Sequence, residues 1–185
     1  MNLVSRVKGI LMNPRQEWAQ IDQEPTNVAA LLTGYVLPLA AIGPIATAIG
    51  WSAFGMGGLF RLSIGLAVAF AITMFIMSII LVFVCAWVIN VLAPTFGATQ
   101  SMPQAIKVAA YFPTASWVAG IFNLIPMLAI LAIIGGLYSL YLLYLGLPML
   151  MKATADKAMS YTVVVVLVTI VVYMIAGWVA RGFAF

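Results

Sequence analysis

Charged residues and histidine are scarce in this sequence. Its 185 residues include no histidine, one cysteine, four acidic and eight basic residues, so charged residues make up 6% of the chain, against ~25% in a soluble domain. Hydrophobic residues make up 65%, against roughly 45–50% in a soluble domain. So few charges cannot cover a water-facing surface, which excludes an ordinary soluble protein and indicates a membrane protein that crosses the bilayer several times.

The same scarcity limits the chemistry that the chain can perform. The sequence contains no Walker loop, dinucleotide fingerprint, zinc-protease motif or Ser/His pair. We therefore predict no catalytic residue, no cofactor and no metal site, and a protein that is not an enzyme. The excess of basic residues is typical of loops retained on the cytoplasmic side of a membrane, so no nucleic-acid partner is expected.

Long uncharged stretches predict where the chain crosses the membrane. A bilayer core of ~30 Å requires about 20 apolar residues in one helix. We predict an all-α fold with a bundle of five transmembrane helices, at approximately 27–50, 62–93, 105–122, 127–150 and 161–180. The second is interpreted as one tilted or protruding helix. Residues 27–185 form this membrane domain, and residues 1–26 form a cytoplasmic amphipathic segment. Four spans, with the third uncharged stretch divided differently, are the alternative.

Basic residues predict the orientation, because positive side chains are retained inside. With the N-terminus in the cytoplasm, the inner segments carry six of them and the outer segments carry only Arg61 and Arg181. We predict a cytoplasmic N-terminus and an external C-terminus.

The first 23 residues predict two short helices. Leu3, Val7, Ile10 and Leu11 lie on one helical face, which predicts a helix in the headgroup plane with its basic residues near anionic lipid. In the second helix Asn13 is expected to form a capping box with Gln16, and Pro14 fits the first position. The residues predicted to contact lipid or a partner are Arg6, Lys8, Arg15, Trp18, Lys107, Lys152 and Lys157.

Three of the four acidic residues, Glu17, Asp22 and Glu24, lie in this same segment. They are interpreted either as a solvated polar face or as a surface that docks a protein.

Tyrosines recur at every third position in the predicted fourth helix. They indicate either a packing seam or a polar strip for a headgroup or substrate. Pro113 is expected to kink the third helix. Together these features predict an intramembrane groove between helices three and four, with the candidate residues Asn90, Tyr111, Pro113, Tyr138, Tyr141 and Tyr144.

Three stretches of the sequence resemble one family. They are Met12–Ile21, then Lys107–Tyr111 with Pro113 and Trp117, then Leu137–Pro148 with Met151 and Lys152. In this order, and over nearly the whole chain, they resemble bacterial members of the Yip family of membrane proteins. The resemblance implies five spans, a cytoplasmic N-terminus and a place in the bacterial inner membrane. Eukaryotic members are linked to Rab-type GTPases and vesicle traffic, but Ile42-Gly43-Pro44 lacks the acidic residue of their motif.

Two functions are compatible with these patterns. The first is a non-enzymatic inner-membrane protein that binds lipid or a protein partner and influences membrane organisation. Its expected partners are membrane lipids, with another protein or a second copy of the chain as further candidates. The alternative is a passive transporter, channel or lipid scramblase that uses the groove between helices three and four.

Overall fold

The computed structural model describes residues 2–55 and 61–182, with the backbone alone for residues 126, 173 and 175–182. Within these ranges the regular structure is entirely helical. The α-helices are α1 (Leu3–Met12), α2 (Pro14–Gln23), α3 (Val28–Leu31), α4 (Leu37–Ala53), α5 (Ile64–Leu92), α6 (Met102–Tyr111), α7 (Thr114–Ala119), α8 (Ile130–Met151) and α9 (Ala155–Gly182).

Five helical stretches in the described ranges are long and apolar enough to cross a membrane. They are span one (Val28–Ala53), span two (Ile64–Phe96), span three (Met102–Leu124), span four (Ile130–Met151) and span five (Ala155–Val172). The predicted all-α fold with five membrane helices is confirmed. We call the end of the bundle formed by Val28, Met102, Met151 and Ala155 the base.

Span two contains one continuous helix, as predicted, because α5 runs for 29 residues. The loop that follows it is shorter than the polar stretch 94–104 of the sequence suggests. Helix α6 already begins at Met102 and carries Pro103 in its first turn. Proline is tolerated there because the first N–H groups of a helix have no intrahelical partner.

Span three is broken at Pro113, where the sequence predicted a kink. Helix α6 ends at Tyr111 and α7 begins at Thr114, and the Thr114 hydroxyl donates to the Tyr111 carbonyl at 2.6 Å. The N–H of Ser116, in the first turn of α7, donates to Ser139 Oγ of span four at 2.9 Å. A side chain of the neighbouring span thus satisfies a backbone donor that the break leaves without a helical partner.

Small residues bring spans three and four together. A Cβ added to Gly135 would lie 2.3 Å from the Cβ of Ala119, whereas one added to Gly136 would meet nothing within 4 Å. Gly135 therefore lies at the close approach of the two spans, while Gly136 faces open space.

The N-terminal segment shares one core with the spans. Fully buried large side chains come from this segment and from spans one, two, four and five: Ile10, Trp18, Ile21, Tyr35, Val36, Ile89, Leu142, Leu143, Leu147, Leu150, Met151 and Tyr161. The N-terminal segment is therefore part of the core of the folded protein.

Candidate functional site

Helices α1 and α2 form an antiparallel pair around Asn13, which we call the N-terminal hairpin (residues 3–23). Arg6 Nη1 lies 2.6 Å from Glu17 Oε1, and a Cβ added to Gly9 would lie 2.0 Å from Glu17 Oε2. The predicted capping box is wrong, because the Asn13 side chain makes no capping hydrogen bond. Asn13 is the single residue between the helices, and its own N–H closes α1 by donating to Gly9 O at 2.8 Å.

The apolar face of the hairpin packs against the spans. Ile10, Trp18 and Ile21 are fully buried, and Leu3, Val7 and Leu11 pack partly buried against the same core. The sequence placed this face among lipid headgroups, and the structure corrects that prediction. The face is apolar, as the pattern indicates, but the protein's own spans cover it.

Trp18 joins the hairpin to spans three and four. Its ring meets the ring of Tyr111 edge-on, with centroids 6.2 Å apart, and also lies against Gly146. The ring of Tyr111 in turn contacts the ring of Tyr35 in span one, with centroids 4.6 Å apart. Tyr35 donates its hydroxyl proton to Thr114 Oγ1 at 2.7 Å, because the Thr114 proton is directed to Tyr111 O.

Arg6 is the cation at the centre of this interface. Its side chain is 6% exposed and pairs with both Glu17 and Glu24. The guanidinium lies 5.8 Å from the centre of the Tyr111 ring. Burial acts to lower the pKa of Arg6, but the hydrogen bond to Glu24 and the nearby negative charges outweigh it and raise that pKa.

Lys107 secures the end of α2 to span three. Its buried ammonium donates to the carbonyl oxygens of Ile21 at 2.8 Å, of Asp22 at 3.5 Å and of Glu24. The ammonium group has three donors, and these three acceptors come from the end of α2 and the residue that follows it. The basic side chain of span three therefore holds the hairpin through its backbone.

Asp22 connects the hairpin to spans three and four. Its Oδ2 lies 2.5 Å from Lys152 Nζ, and its Oδ1 accepts from Gln104 Nε2 at 3.1 Å. Glu17 and Glu24 pair with Arg6, so all three acidic residues of the segment bind groups of their own chain. Docking of another protein on these residues stays a prediction.

The structure separates the predicted contact residues into two groups. Arg6, Trp18 and Lys107 are buried at 6%, 0% and 4% exposure, because they hold the hairpin to the bundle. The structure therefore corrects the prediction that these three side chains are contact residues for lipid or a partner. The side chains of Lys8, Arg15, Lys152 and Lys157 are exposed. Lys152 pairs with Asp22, and Lys8, Arg15 and Lys157 remain available to a ligand or partner.

A cleft of about 160 Å³ opens where the hairpin meets spans one and three. Glu24 and Lys107 line it together with Tyr111, Pro25 and Asn27. The Glu24 carboxylate already pairs with Arg6, and the Lys107 ammonium already binds backbone carbonyls.

The six predicted groove residues do not line one groove. Tyr111 lies under the hairpin, and Pro113 lines a separate cavity of about 160 Å³ with residues of spans two and five, including Cys85 and Thr169. Tyr138 donates its hydroxyl proton to Leu11 O at 2.7 Å.

The remaining groove candidates are also dispersed. The rings of Tyr141 and Tyr138 are in contact, with centroids 5.6 Å apart, and Tyr144 is half-buried. On span two, the backbone carbonyl of Asn90 accepts from Gln100 Nε2 at 3.2 Å. Transport through a groove between spans three and four stays a prediction.

Sequence reasoning missed the partners of the hairpin. Gln104, Gly146 and Thr114 carry no signal of their own, since each gains its role from a residue far away in the chain. Among the residues that the structure describes, no group of three His, Cys, Asp or Glu is placed to hold a metal ion.

Comparison with known proteins gives two kinds of match. The profile of a family described as Yip1 domain matches residues 8–177. The chain is also 28% identical over 167 residues to inner membrane protein YohC of Escherichia coli strain K12, covering 86% of this chain and 85% of that protein. The same figures hold for inner membrane protein YohC of Escherichia coli O6:H1 strain CFT073. No solved structure matches the chain.

Proposed function

This chain belongs to the Yip1 domain family, and from that premise we propose that it is a non-enzymatic protein of the bacterial inner membrane that binds anionic lipid headgroups and so influences membrane organisation. The similarity to an E. coli inner membrane protein supports the location. The distribution of basic residues supports a cytoplasmic base and an external C-terminus.

One observation carries the proposal. The contacts that dock the hairpin use Arg6, Lys107 and the three acidic residues, yet they leave Lys8 and Arg15 exposed on the hairpin and Lys157 exposed at the base. Lys152 is exposed as well, although it pairs with Asp22. The exposed surface of the hairpin and the base is therefore mainly cationic, since its exposed acidic residues are Glu24 and Asp156, and phosphate groups of anionic lipids complement it.

The expected strength follows from the electrostatics of the cytoplasmic leaflet. A basic residue near an anionic surface contributes about 1 kcal/mol to membrane attraction. Arginine binds phosphate through two parallel hydrogen bonds, and lysine binds it as a point charge. Lipid bound in this way gathers at the base and changes the local composition of the leaflet, which is the organising effect that we propose.

The test is lipid binding by the purified full-length chain, measured by native mass spectrometry with phosphatidylglycerol and with phosphatidylcholine. We expect preferential binding of phosphatidylglycerol. The triple variant Lys8→Gln, Arg15→Gln, Lys157→Gln should lose that preference, with each residue contributing roughly fivefold. Arg61→Gln is the matched control, because Arg61 is exposed beside span two at the opposite end of the bundle.

Two results count against the proposal. One is equal binding of the two lipids by the unaltered chain, and the other is a triple variant that keeps the preference. A general loss of folding is recognised by the thermal stability of the variant, which exposed substitutions should leave within about 0.5 kcal/mol each.

A further inference from the structure

The N-terminal hairpin extends far along span four. Asp22 pairs with Lys152 just beyond the end of α8, Trp18 lies against Gly146, and Leu11 accepts from Tyr138. Tyr138 and Lys152 are about 14 residues apart, or about 21 Å of helix at ~1.5 Å per residue. The tip of the hairpin therefore lies about 15–20 Å from the base, which is at least half of a ~30 Å bilayer core.

The face of the hairpin that points away from the spans is polar. Its exposed polar side chains include Lys8, Asn13, Arg15, Gln16 and Gln20, and its exposed apolar side chains are Val4, Met12 and Ala19. A charged side chain at the centre of a membrane helix costs about 2.5–3.5 kcal/mol on insertion scales, and local thinning of the bilayer reduces this cost. Hydrocarbon chains are therefore a poor solvent for this face.

The apolar surface of span four ends where the hairpin begins to cover it. Its exposed large side chains stop at Tyr141: they are Ile130, Ile133, Ile134, Leu137, Leu140 and Tyr141. From Ile130 to Tyr141 the helix rises about 17 Å. None of residues 142–151 is exposed.

Span two presents a much taller apolar surface. Its exposed large apolar side chains begin at Ile64 and continue through Trp87 to Val91. This part of α5 rises about 40 Å. The two sides of the protein thus present apolar surfaces to lipid that differ about twofold in height. The core of the surrounding bilayer is ~30 Å thick.

We propose that the hairpin binds phospholipid headgroups along span four, deeper in the membrane than the base, and so thins the bilayer on that side of the protein. This inference rests on the proposed function and adds the place where the headgroups bind. Lys8 and Arg15 contact the lipid phosphates, and the amides of Asn13, Gln16 and Gln20 bind water or phosphate oxygen. Bilayer thinning is one of the responses by which a membrane accommodates a short apolar surface.

Headgroups fit this face better than a second copy of the chain does. A two-fold interface places the same patch on both subunits, so Lys8 and Arg15 would meet the same cations of the partner. Like charges that face each other across an interface are unfavourable. Anionic phosphate is the chemical complement of an exposed lysine and arginine among neutral amides.

The test compares two sites at equal distance from the base. Asn13 is about 9 residues from Asp22, and Trp87 is about 9 residues from Phe96, so each lies about 15 Å from the base. Both side chains are exposed, and Asn13 makes no capping hydrogen bond that its replacement would remove. Asn13→Cys and Trp87→Cys are prepared separately in a Cys85→Ala background and carry a nitroxide spin label.

Full-length chains are reconstituted in vesicles of phosphatidylethanolamine and phosphatidylglycerol. We expect the label at Asn13 to be relaxed more strongly by a water-soluble nickel chelate, and the label at Trp87 by oxygen. The label at Asn13 should enhance the relaxation of lipid phosphorus several-fold more than the label at Trp87. Adding Lys8→Gln and Arg15→Gln should reduce the phosphorus enhancement at Asn13.

Three results overturn the inference. They are an oxygen-dominated label at Asn13, equal phosphorus relaxation from the two sites, and dipolar broadening between labels at Asn13, which indicates a second copy on this face. If any of these results is found while the chain still prefers phosphatidylglycerol, the inference fails and the proposed function stands. If the preference is also absent, both fail.

Discussion

The indole ring of Trp18 lies so close to the backbone of Gly146 that a Cβ at position 146 would be 2.8 Å from Trp18 Cζ2. Trp18 is fully buried, so its ring has little room to move. Gly146 is thus the position at which span four admits the N-terminal hairpin.

Gly146→Ala should destabilise the protein. The added methyl group overpacks a filled site, which typically costs 1–3 kcal/mol. Thermal unfolding of the purified chain in detergent measures the effect. Gly136→Ala, in the same helix but facing open space, should leave the stability unchanged or raise it, so equal losses in both variants would contradict the packing argument.

Arg6→Gln should destabilise the hairpin through the acidic residues that it leaves behind. Glu17 is 13% exposed and loses its partner, and removal of one member of a buried pair costs about 3 kcal/mol. Adding Glu17→Gln to Arg6→Gln should recover part of the loss, because no uncompensated carboxylate then remains at position 17. Thermal unfolding measures both variants, and Lys8→Gln, on the exposed face of α1, is the control.

Lys107→Met should release the end of α2. The variant leaves the carbonyl oxygens of Ile21 and Glu24 without the ammonium that binds them. Amide hydrogen exchange should increase over residues 18–27 by tenfold or more, which corresponds to about 1.4 kcal/mol of opening free energy. Lys157→Met, which removes an exposed ammonium, should leave the exchange of this segment unaltered.

Tyr138→Phe should loosen the tip of the hairpin. It removes the hydrogen bond to Leu11 O, and one such bond contributes about 1 kcal/mol. Hydrogen exchange is expected to rise near residues 10–14 without a change over residues 18–27. Tyr141→Phe alters a neighbouring side chain that is 42% exposed, and an equal effect there would show that the Tyr138 bond is unimportant.

The orientation predicts the activity of reporters at the two ends of the chain. A phosphatase that is active only outside the cytoplasm should be active when fused after Phe185, and inactive when fused before Met1. A fluorescent protein that folds only in the cytoplasm should show the opposite pattern. A cytoplasmic C-terminus would contradict the topology of five spans with the base in the cytoplasm.

The spans were predictable because their signal is local. Charge-free stretches and the ~20-residue length of a crossing are visible in the sequence, and so is the break that Pro113 imposes on span three. The apolar face of α1 was visible as well, through the spacing of Val7 and Ile10. What covers that face was not visible, since bilayer and protein core select for the same apolar side chains.

The binding partners of the charged residues were the hardest part to predict. Lys107 near the end of a span suggests a side chain that reaches towards the membrane surface, and a sequence alone does not show that backbone carbonyls some 80 residues earlier surround it. Asn13 also illustrates the limit. Its position before Pro14 is typical of a cap, but a one-residue link between antiparallel helices left its side chain without that role.

The contacts of the hairpin also determine the order in which the protein can be assembled. Leu11 and Tyr138 are 127 residues apart in the chain, and Asp22 and Lys152 are 130 apart. At ~5–20 residues per second, a ribosome needs about 6 to 25 s to synthesise that interval. During this time the hairpin has left the ribosome without its binding site on span four, so Asp22 stays without Lys152 until that span has been synthesised. The first helices to be synthesised are therefore among the last to reach their final position.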